Sequence, residues 1–386
     1  MKDSLSLFNL LVIVGSFQGV VTGALLWLSP RRSPSGRLLA VLLVVFVLLS
    51  CKILLHTLGL WQTPYLRYFP LGIDLLIQPL FYLYVLSLTR PGFRLVRGHL
   101  VHLGPAALFL LHAGAVYLGT VGLADPAVKD ALAESLHFNL VKRVEDYLSV
   151  LSSCAYWYLS YRQVNRYRQW LYDHVAATDH PEYTWLRNLL RLMLGLFGVL
   201  ALNLLLDQGF GFDRLYFLHW QFFYVYMAGL IYYLGFRGYH LPAAPPLPVA
   251  IPEATPEPPL PRAAEASAGL AAPALKRAID EALAGEKRYL DPDLSLGSLA
   301  AHLGVSAAVL SATINTCYGK NFRNLVNEYR VEEAKRKLGD PALSHLSVLG
   351  IGLESGFNSE ASFYRIFKQH TSRSPAAYAA QAGRKG

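Results

Sequence analysis

The chain is predicted to be all-α: seven transmembrane helices, a Pro/Ala-rich linker, and a soluble domain carrying two helix-turn-helix motifs. Three observations predict this. Mean hydropathy is +0.31, and 53% of residues are hydrophobic while only 16% are charged, where an average soluble chain carries roughly 25% charged residues. Apolar runs crowd the chain before Tyr239, whereas the stretch after Pro273 holds fifteen Lys plus Arg against eleven Asp plus Glu. Between them, residues 241–273 are dominated by Pro and Ala. The expected domains are therefore 1–240, 241–273 and 274–386.

Crossing the hydrocarbon takes about twenty apolar residues in a helix, because every backbone amide must be satisfied inside the segment. Seven stretches are read as spans: Leu5 to Leu28, Leu38 to Leu58, Phe69 to Leu88, Leu100 to Leu123, Tyr147 to Tyr161, Leu186 to Leu206 and Phe217 to Phe236. The fifth is short and interrupted by polar residues, and without it the two termini would share a side. Short loops rich in Lys and Arg stay cytoplasmic. Arg31, Arg32 and Arg37 follow the first span, Arg90, Arg94 and Arg97 the third, Arg162, Arg166 and Arg168 the fifth, and Arg237 the seventh. This alternation requires seven spans, with the N-terminus outside and the soluble part inside the cell. The first span is too long for a removable signal peptide and lacks a basic n-region and a cleavage site. Loops of roughly twenty residues cannot build a separate core, so any signal is expected to be read within the bundle, at its outer mouth, or from a partner membrane protein.

Ionisable groups inside a membrane are costly and mark functional sites by default. Lys52 and His56 share one face of the second span at i,i+4, Asp74 and Gln78 share one face of the third, and Gln18, Arg191 and Asn203 lie in others. The first four form the candidate sensory site; the alternative is that Lys52 and Asp74 simply pair and Arg191 snorkels to the headgroups. Gly15, Gly19 and Gly23 make a small-residue stripe that lets a helix approach closely, either within one subunit or between two. The Tyr- and Trp-rich span ends, such as Tyr156, Trp157, Tyr161 and Trp170, fit interfacial belts.

No metalloprotease, nucleophile-elbow, phosphate-loop or dinucleotide motif is present, so no enzyme activity and no cofactor are expected. His99 with His102, and His174 with Asp179 and His180, supply too few ligands for a metal. Cys51, Cys154 and Cys317 stand singly and form no disulfide framework. In the linker, Pro removes amide donors and fixes φ, which favours extended polyproline II and a reach on the order of 100 Å.

After the linker an internal repeat appears. Leu296, Leu299, Ala300 and Leu303 make one apolar face, Gly304-Val305-Ser306 a turn, and Val309, Leu310 and Ile314 a second helix. Val348, Ile351 and Gly352, then Gly356-Phe357-Asn358, then Phe363, Ile366 and Phe367 repeat the pattern. A glycine turn followed by a capped helix is the helix-turn-helix arrangement. Phe322 to Leu338 reads as a connecting helix stopped by Gly339-Asp-Pro341, and Ser374-Pro375 opens a final helix with a cap and an N1 proline.

Residues 274–381 resemble the C-terminal domain of the AraC/XylS family of transcriptional regulators. The resemblance rests on Gly356-Phe-Asn-Ser-x-x-Ser-Phe-x-Arg-x-Phe-Lys368, on Ser374-Pro-x-x-Tyr378, and on Asn327-Glu-Tyr-Arg-Val-Glu-Glu-Ala-Lys335. Ser372 stands where the family usually has Gly, Ala379 where Arg is common, and Gly352 where Ala is usual. The whole chain is also similar, more weakly, to membrane-anchored members, with Pro79-Leu-Phe-Tyr-Leu-Tyr-Val85 as the stretch to compare. The resemblance implies a regulator that binds promoter DNA from the bacterial cytoplasmic membrane, with two recognition helices in major-groove segments about 34 Å apart. It implies base contacts from Ala308, Ser311 and Ala312 on the first helix, and from Glu360, Ala361, Tyr364 and Arg365 on the second. Arg365 suits a bidentate guanine contact and Glu360 a cytosine amine. Lys320, Arg323, Lys368 and Arg373 are the phosphate candidates. The modest charge excess predicts weak non-specific binding, so that a homodimer or repeated sites would be needed. The expected partners are double-stranded DNA, the lipid bilayer and a small-molecule or membrane-protein signal. The competing readings are a transporter or membrane enzyme with a fused feedback module, and a sensor whose soluble part is released by linker proteolysis.

Overall fold

The computed structural model describes residues 6–29, 33–90, 92–176, 181–212, 218–240 and 273–382. Residues 241–272 of the expected linker and the basic pair Arg31 and Arg32 lie outside the described residues, and Pro273, the linker's expected last residue, is already helical. Every regular element among the described residues is helical. The chain divides into two compact units, Met1–Asn165 with Glu182–Leu247, and Arg166–Pro181 with Pro248–Gly386.

The first unit contains α1 (Leu7–Leu28), α2 (Pro34–Thr57), α3 (Ile77–Thr89), α4 (Gly104–Thr120), α5 (Pro126–Ser135), most of α6 (Phe138–His174), α7 (Pro181–Phe210) and α8 (Leu218–His240). Ser6 and Ser33 cap α1 and α2 by accepting amides at the third helical position, the arrangement that satisfies an otherwise orphaned donor. Among the described residues, four helical segments are long and apolar enough to cross a bilayer: Leu7–Leu28, Pro34–Thr57, Arg97–Thr120 and Tyr183–Phe210. The third expected span is shorter, Asp74–Thr89, because the residues from Phe69 to Ile73 are not helical. The fifth lies inside the 37-residue α6, and the seventh on α8; polar and tyrosine residues keep both below the apolarity of the other four. Between the fourth and fifth expected spans, which end at Leu123 and start at Tyr147, the chain forms α5 and the start of α6. Asp125 accepts the Ala127 amide at 2.9 Å and Pro126 occupies the first helical position, a start signal not singled out from the sequence.

Helix α1 packs along α2 and α8, and its glycine stripe makes this contact. A Cβ on Gly15 would sit 2.8 Å from Ala228 Cβ, and one on Gly19 would sit 2.6 Å from Val47 Cγ2. The stripe therefore serves packing inside one chain. Trp157 Nε1 donates to the Leu190 carbonyl and Trp185 Nε1 to the Tyr84 hydroxyl, tying α6 to α7 and α7 to α3. The outward faces remain apolar, with Phe17, Leu28, Leu108, Leu111 and Leu118 all about 70% exposed or more.

The second unit holds α9 (273–280), α10 (Leu296–His302), α11 (Ala307–Tyr318), α12 (Phe322–Leu338), α13 (Val348–Glu354), α14 (Glu360–Thr371) and α15 (Pro375–Ala382), together with the last turns of α6 from Arg166 onward. Two cores form. Ile279, Leu283, Leu299, Leu310, Ile314 and Val326 belong to the first, and Val331, Phe357, Phe363, Ile366 and Phe367 to the second. Helix α12 supplies residues to both and so links them.

Candidate functional site

In the first half of the second unit, α10 and α11 cross at 101°, within the range of helix-turn-helix pairs. The chain turns between them at Gly304, whose φ of +68° is a left-handed value that a side chain would resist. Ser306 then caps α11 by accepting the Val309 amide at 3.3 Å. The second half repeats the design. Gly356 turns at φ +91°, and Ser359 accepts the Ser362 amide at 3.2 Å to start α14. In both, Leu310 and Ile314 or Phe363, Ile366 and Phe367 bury the inner face, which leaves the opposite face outward.

That outward face carries the residues expected to read bases. Ala308 and Ala312 are exposed on α11 and Ser311 is half-buried; Glu360, Ala361 and Arg365 are exposed on α14, and Tyr364 is half-buried with its ring edge-on to Phe363 at 5.7 Å. Helical spacing extends the first face to Asn315 and Thr316 and the second to Gln369, all exposed. These three were not singled out from the sequence, although i,i+3 and i,i+4 steps from Ala312 and Arg365 reach them.

The phosphate candidates fall into different environments. Lys368 is exposed on α14. Arg373 is exposed and its guanidinium bonds Gln381. Lys320 pairs with Glu328 at 2.5 Å. Arg323 is 6% exposed, and its guanidinium lies 4.4 Å over the ring of Tyr172, from the end of α6. The same end contributes Ala176 to the first core, donates the Ala176 amide to the Leu294 carbonyl at 3.4 Å, and accepts at Asp173 from the Asn321 side chain at 3.4 Å.

Arg330 on α12 went unremarked as a separate feature of the sequence. It is 1% exposed, donates Nε to the Tyr289 carbonyl at 2.8 Å and Nη2 to the Asp291 carbonyl at 2.7 Å, and sits against the Gly356 turn. Burial pulls its guanidinium down to about 10. One buried cation thus fixes the loop before α10 and abuts the turn before α14.

Residues 299–381 match the family model described as a helix-turn-helix domain. This is an AraC-type helix-turn-helix domain. Over 90 residues the chain is 36% identical to uncharacterized HTH-type transcriptional regulators of Staphylococcus aureus strains MSSA476 and N315, an alignment that covers 23% of this chain and 12% of each relative. The chain thus spans about an eighth of the length of those relatives. A solved protein of unknown function from Listeria innocua is similar at 28% identity over 26% of this chain and 94% of its own, with a TM-score of 0.24. The matched residues span α10 to α15, so both helix-turn-helix halves of the second unit lie almost wholly inside the AraC-type domain.

In the first unit, the four residues of the candidate sensory site meet a second set from α6. Lys52 Nζ lies 3.0 Å from Asp74 Oδ2, and Lys142 Nζ lies 3.0 Å from the same oxygen. Lys142 also reaches Glu145 Oε2 at 2.8 Å and Asp146 Oδ1 at 3.0 Å. Gln78 donates Nε2 to Ser153 Oγ at 3.3 Å, while its Oε1 has no partner. His56 stacks on Trp61 with ring centroids 4.5 Å apart. A cavity of about 210 Å³ opens beside the cluster, lined by Lys52, His56, Asp74, Gln78, Lys142 and Asp146 among others. Among the described residues no group of His, Cys, Asp and Glu could hold a metal ion.

Proposed function

We propose that the protein is a membrane-embedded one-component transcriptional regulator: α11 and α14 read promoter DNA, and the helical bundle of the first unit takes the signal. The observation that carries the reading is the pairing, in one chain, of an AraC-type domain with four helical segments that have the length and apolarity to cross a bilayer. Large apolar side chains on their outward faces, such as Phe17 at 70% exposure, would be costly in water and suit lipid. In this reading the bundle crosses the bacterial inner membrane seven times, counting Asp74–Thr89, α6 and α8, with the N-terminus outside and the DNA-binding domain in the cytoplasm. Some polar residues of α6 and α8, such as Lys142 and Tyr224, line the cavity between the helices. Arg365 gives the main base contact, with Glu360, Ala361 and Tyr364 beside it and Ala308, Ser311 and Ala312 on the partner helix; Lys368 and Arg373 hold phosphates, joined by Lys320 and Arg323 when their present contacts open. Two copies, or two repeated sites, would make up for the small charge excess.

Chromosome-wide occupancy of the full-length protein tests this. Discrete promoter peaks that weaken by about tenfold in Arg365→Ala, the loss of one bidentate contact, are expected. Diffuse occupancy, or peaks indifferent to that substitution, would refute the assignment of Arg365. A reporter fused at the C-terminal end that is active only outside the cytoplasm would refute the topology.

A further inference from the structure

We propose that the cavity beside the Lys52, Asp74 and Lys142 cluster binds a small organic monocation: a protonated amine with a short aryl or alkyl body. The inference rests on the reading of the bundle as the sensing part, and it names the chemical class that part takes.

Charge is the first argument. Lys142 contacts three carboxylates, those of Asp74, Glu145 and Asp146, and Lys52 shares Asp74 with it. With all five groups ionised, two ammonium groups face three carboxylates, one positive charge short. A partly buried carboxylate that shares its cation with two others is poorly compensated, and a cationic ligand beside Asp146, which pairs with Lys142 and lines the cavity, offsets that cost. An anionic ligand would deepen the imbalance, and a neutral one would leave it.

Hydrogen bonding points the same way. Gln78 and Ser149 both line the cavity and are 1% and 2% exposed, yet Gln78 Oε1 and Ser149 Oγ have no partner. Buried acceptors of this kind call for a donor. An alkylammonium offers up to three N–H donors from one atom, enough for the amide oxygen, the hydroxyl and a carboxylate together.

Shape sets the rest of the ligand. Leu196, Leu200, Leu204 and Trp220 also line the cavity; aliphatic residues receive an apolar body, and an indole attracts a cation to its face. A dry apolar cavity of about 150 Å³ accepts benzene. At about 210 Å³, this one has room for a ring and a two-carbon arm.

The test uses the full-length protein in lipid nanodiscs and calorimetric titration with 2-phenylethylamine as the probe. 2-Phenylethanol and 3-phenylpropionate serve as its neutral and anionic counterparts. The amine is expected to bind at least about tenfold more tightly than the alcohol, one charge contact's worth of affinity, and the carboxylate is expected not to bind. Asp146→Asn should remove most of the preference for amine over alcohol, and Leu200→Trp, which fills the apolar end, should abolish binding of both. If Asp146→Asn does not fold, Ser149→Ala replaces it, since it removes an acceptor without altering charge, and a weakening of amine binding by about threefold is expected. Alcohol binding as tight as the amine, no amine binding at all, or amine affinity unchanged in Leu200→Trp overturns the proposal. The sensing reading fails separately: an amine that binds as described but leaves DNA occupancy unchanged removes the bundle's role in signalling and leaves the site standing. A stimulus that alters occupancy without any amine binding removes the site alone.

Discussion

Three positions in the DNA-binding domain show how single atoms set its stability. Gly352 stands where Ala is usual in the family it resembles, and the reason is Phe363: a Cβ at 352 would lie 2.5 Å from Phe363 Cδ1 and 2.7 Å from Cγ. Since Phe363 is fully buried its ring has nowhere to go. Gly352→Ala is expected to cost about 1 to 3 kcal/mol, the range for overpacking, read as faster hydrogen exchange in α13 and α14 of the full-length chain. Ser372 shows the opposite case. It ends α14 at φ +61°, a left-handed conformation that strains any residue with a Cβ by about 1 to 2 kcal/mol and that glycine adopts freely at helix ends. Ser372→Gly should slow exchange in α14 by an amount equivalent to about 1 kcal/mol; no change would mean that the serine hydroxyl compensates. Arg330→Met would leave the Tyr289 and Asp291 carbonyls without their donors, and each lost bond to a charged group costs about 1.5 to 3 kcal/mol.

Two helices illustrate the next scale. On α1, the stripe of Gly15 and Gly19 decides how closely the helix lies on α2 and α8. A Cβ at Gly19 would meet Val47 Cγ2 at 2.6 Å and Ile231 Cγ2 at 2.9 Å, two β-branched side chains with little rotamer freedom. Gly19→Val is therefore expected to lower the thermal transition of the purified protein in detergent, while Gly114→Val on α4, where a Cβ would meet nothing within 4 Å, leaves it in place. Equal effects would show that β-branching, not contact, is responsible. On α12, Glu333 accepts two hydrogen bonds from Arg336, at 3.0 and 2.7 Å, and this pairing holds its carboxyl below the ordinary 4.5. A carboxylate depressed on folding contributes stability that is complete above the unfolded value and disappears as pH falls through the folded one. Protection of α12 amides, corrected for intrinsic exchange, should thus be flat above about pH 4.5 and decline below it. Glu333→Gln should make that decline shallower.

At the scale of the whole molecule, what could be read from the sequence divides by the range of the interaction. The capping serines Ser306 and Ser359, the turn glycines Gly304 and Gly356, and the apolar spacing of α10 to α14 act over a few residues, and the helix-turn-helix pair was visible in them. The long apolar helices α1, α2 and α7 were visible for the same reason. The clustering of Lys142, Glu145 and Asp146 on Asp74 was not, because 68 residues separate Lys142 from Asp74 and α6 had been read as starting later. The burial of Arg323 against Tyr172 was hidden likewise, since the two lie far apart in the chain and Arg323 had been read as a phosphate contact. In the proposed reading, where Arg323 is one of the phosphate contacts, that last contact bears on how many phosphates the protein neutralises. Each neutralised phosphate contributes about −0.9 to the slope of log K against log salt on duplex DNA. With Arg323 stacked on Tyr172 at 4.4 Å, its contribution is withheld from the slope that the full-length protein shows on a random-sequence duplex. Tyr172→Ala removes the aromatic face, and in nanodiscs it should steepen the slope by about 0.9 and tighten binding at low salt. Tyr172→Phe, which keeps the ring, should behave as the unaltered chain does. Parallel salt dependences for Tyr172→Ala and the unaltered protein would show that Arg323 never reaches a phosphate, and that Lys368 and Arg373, together with the amides at the starts of α11 and α14, hold the DNA backbone without it.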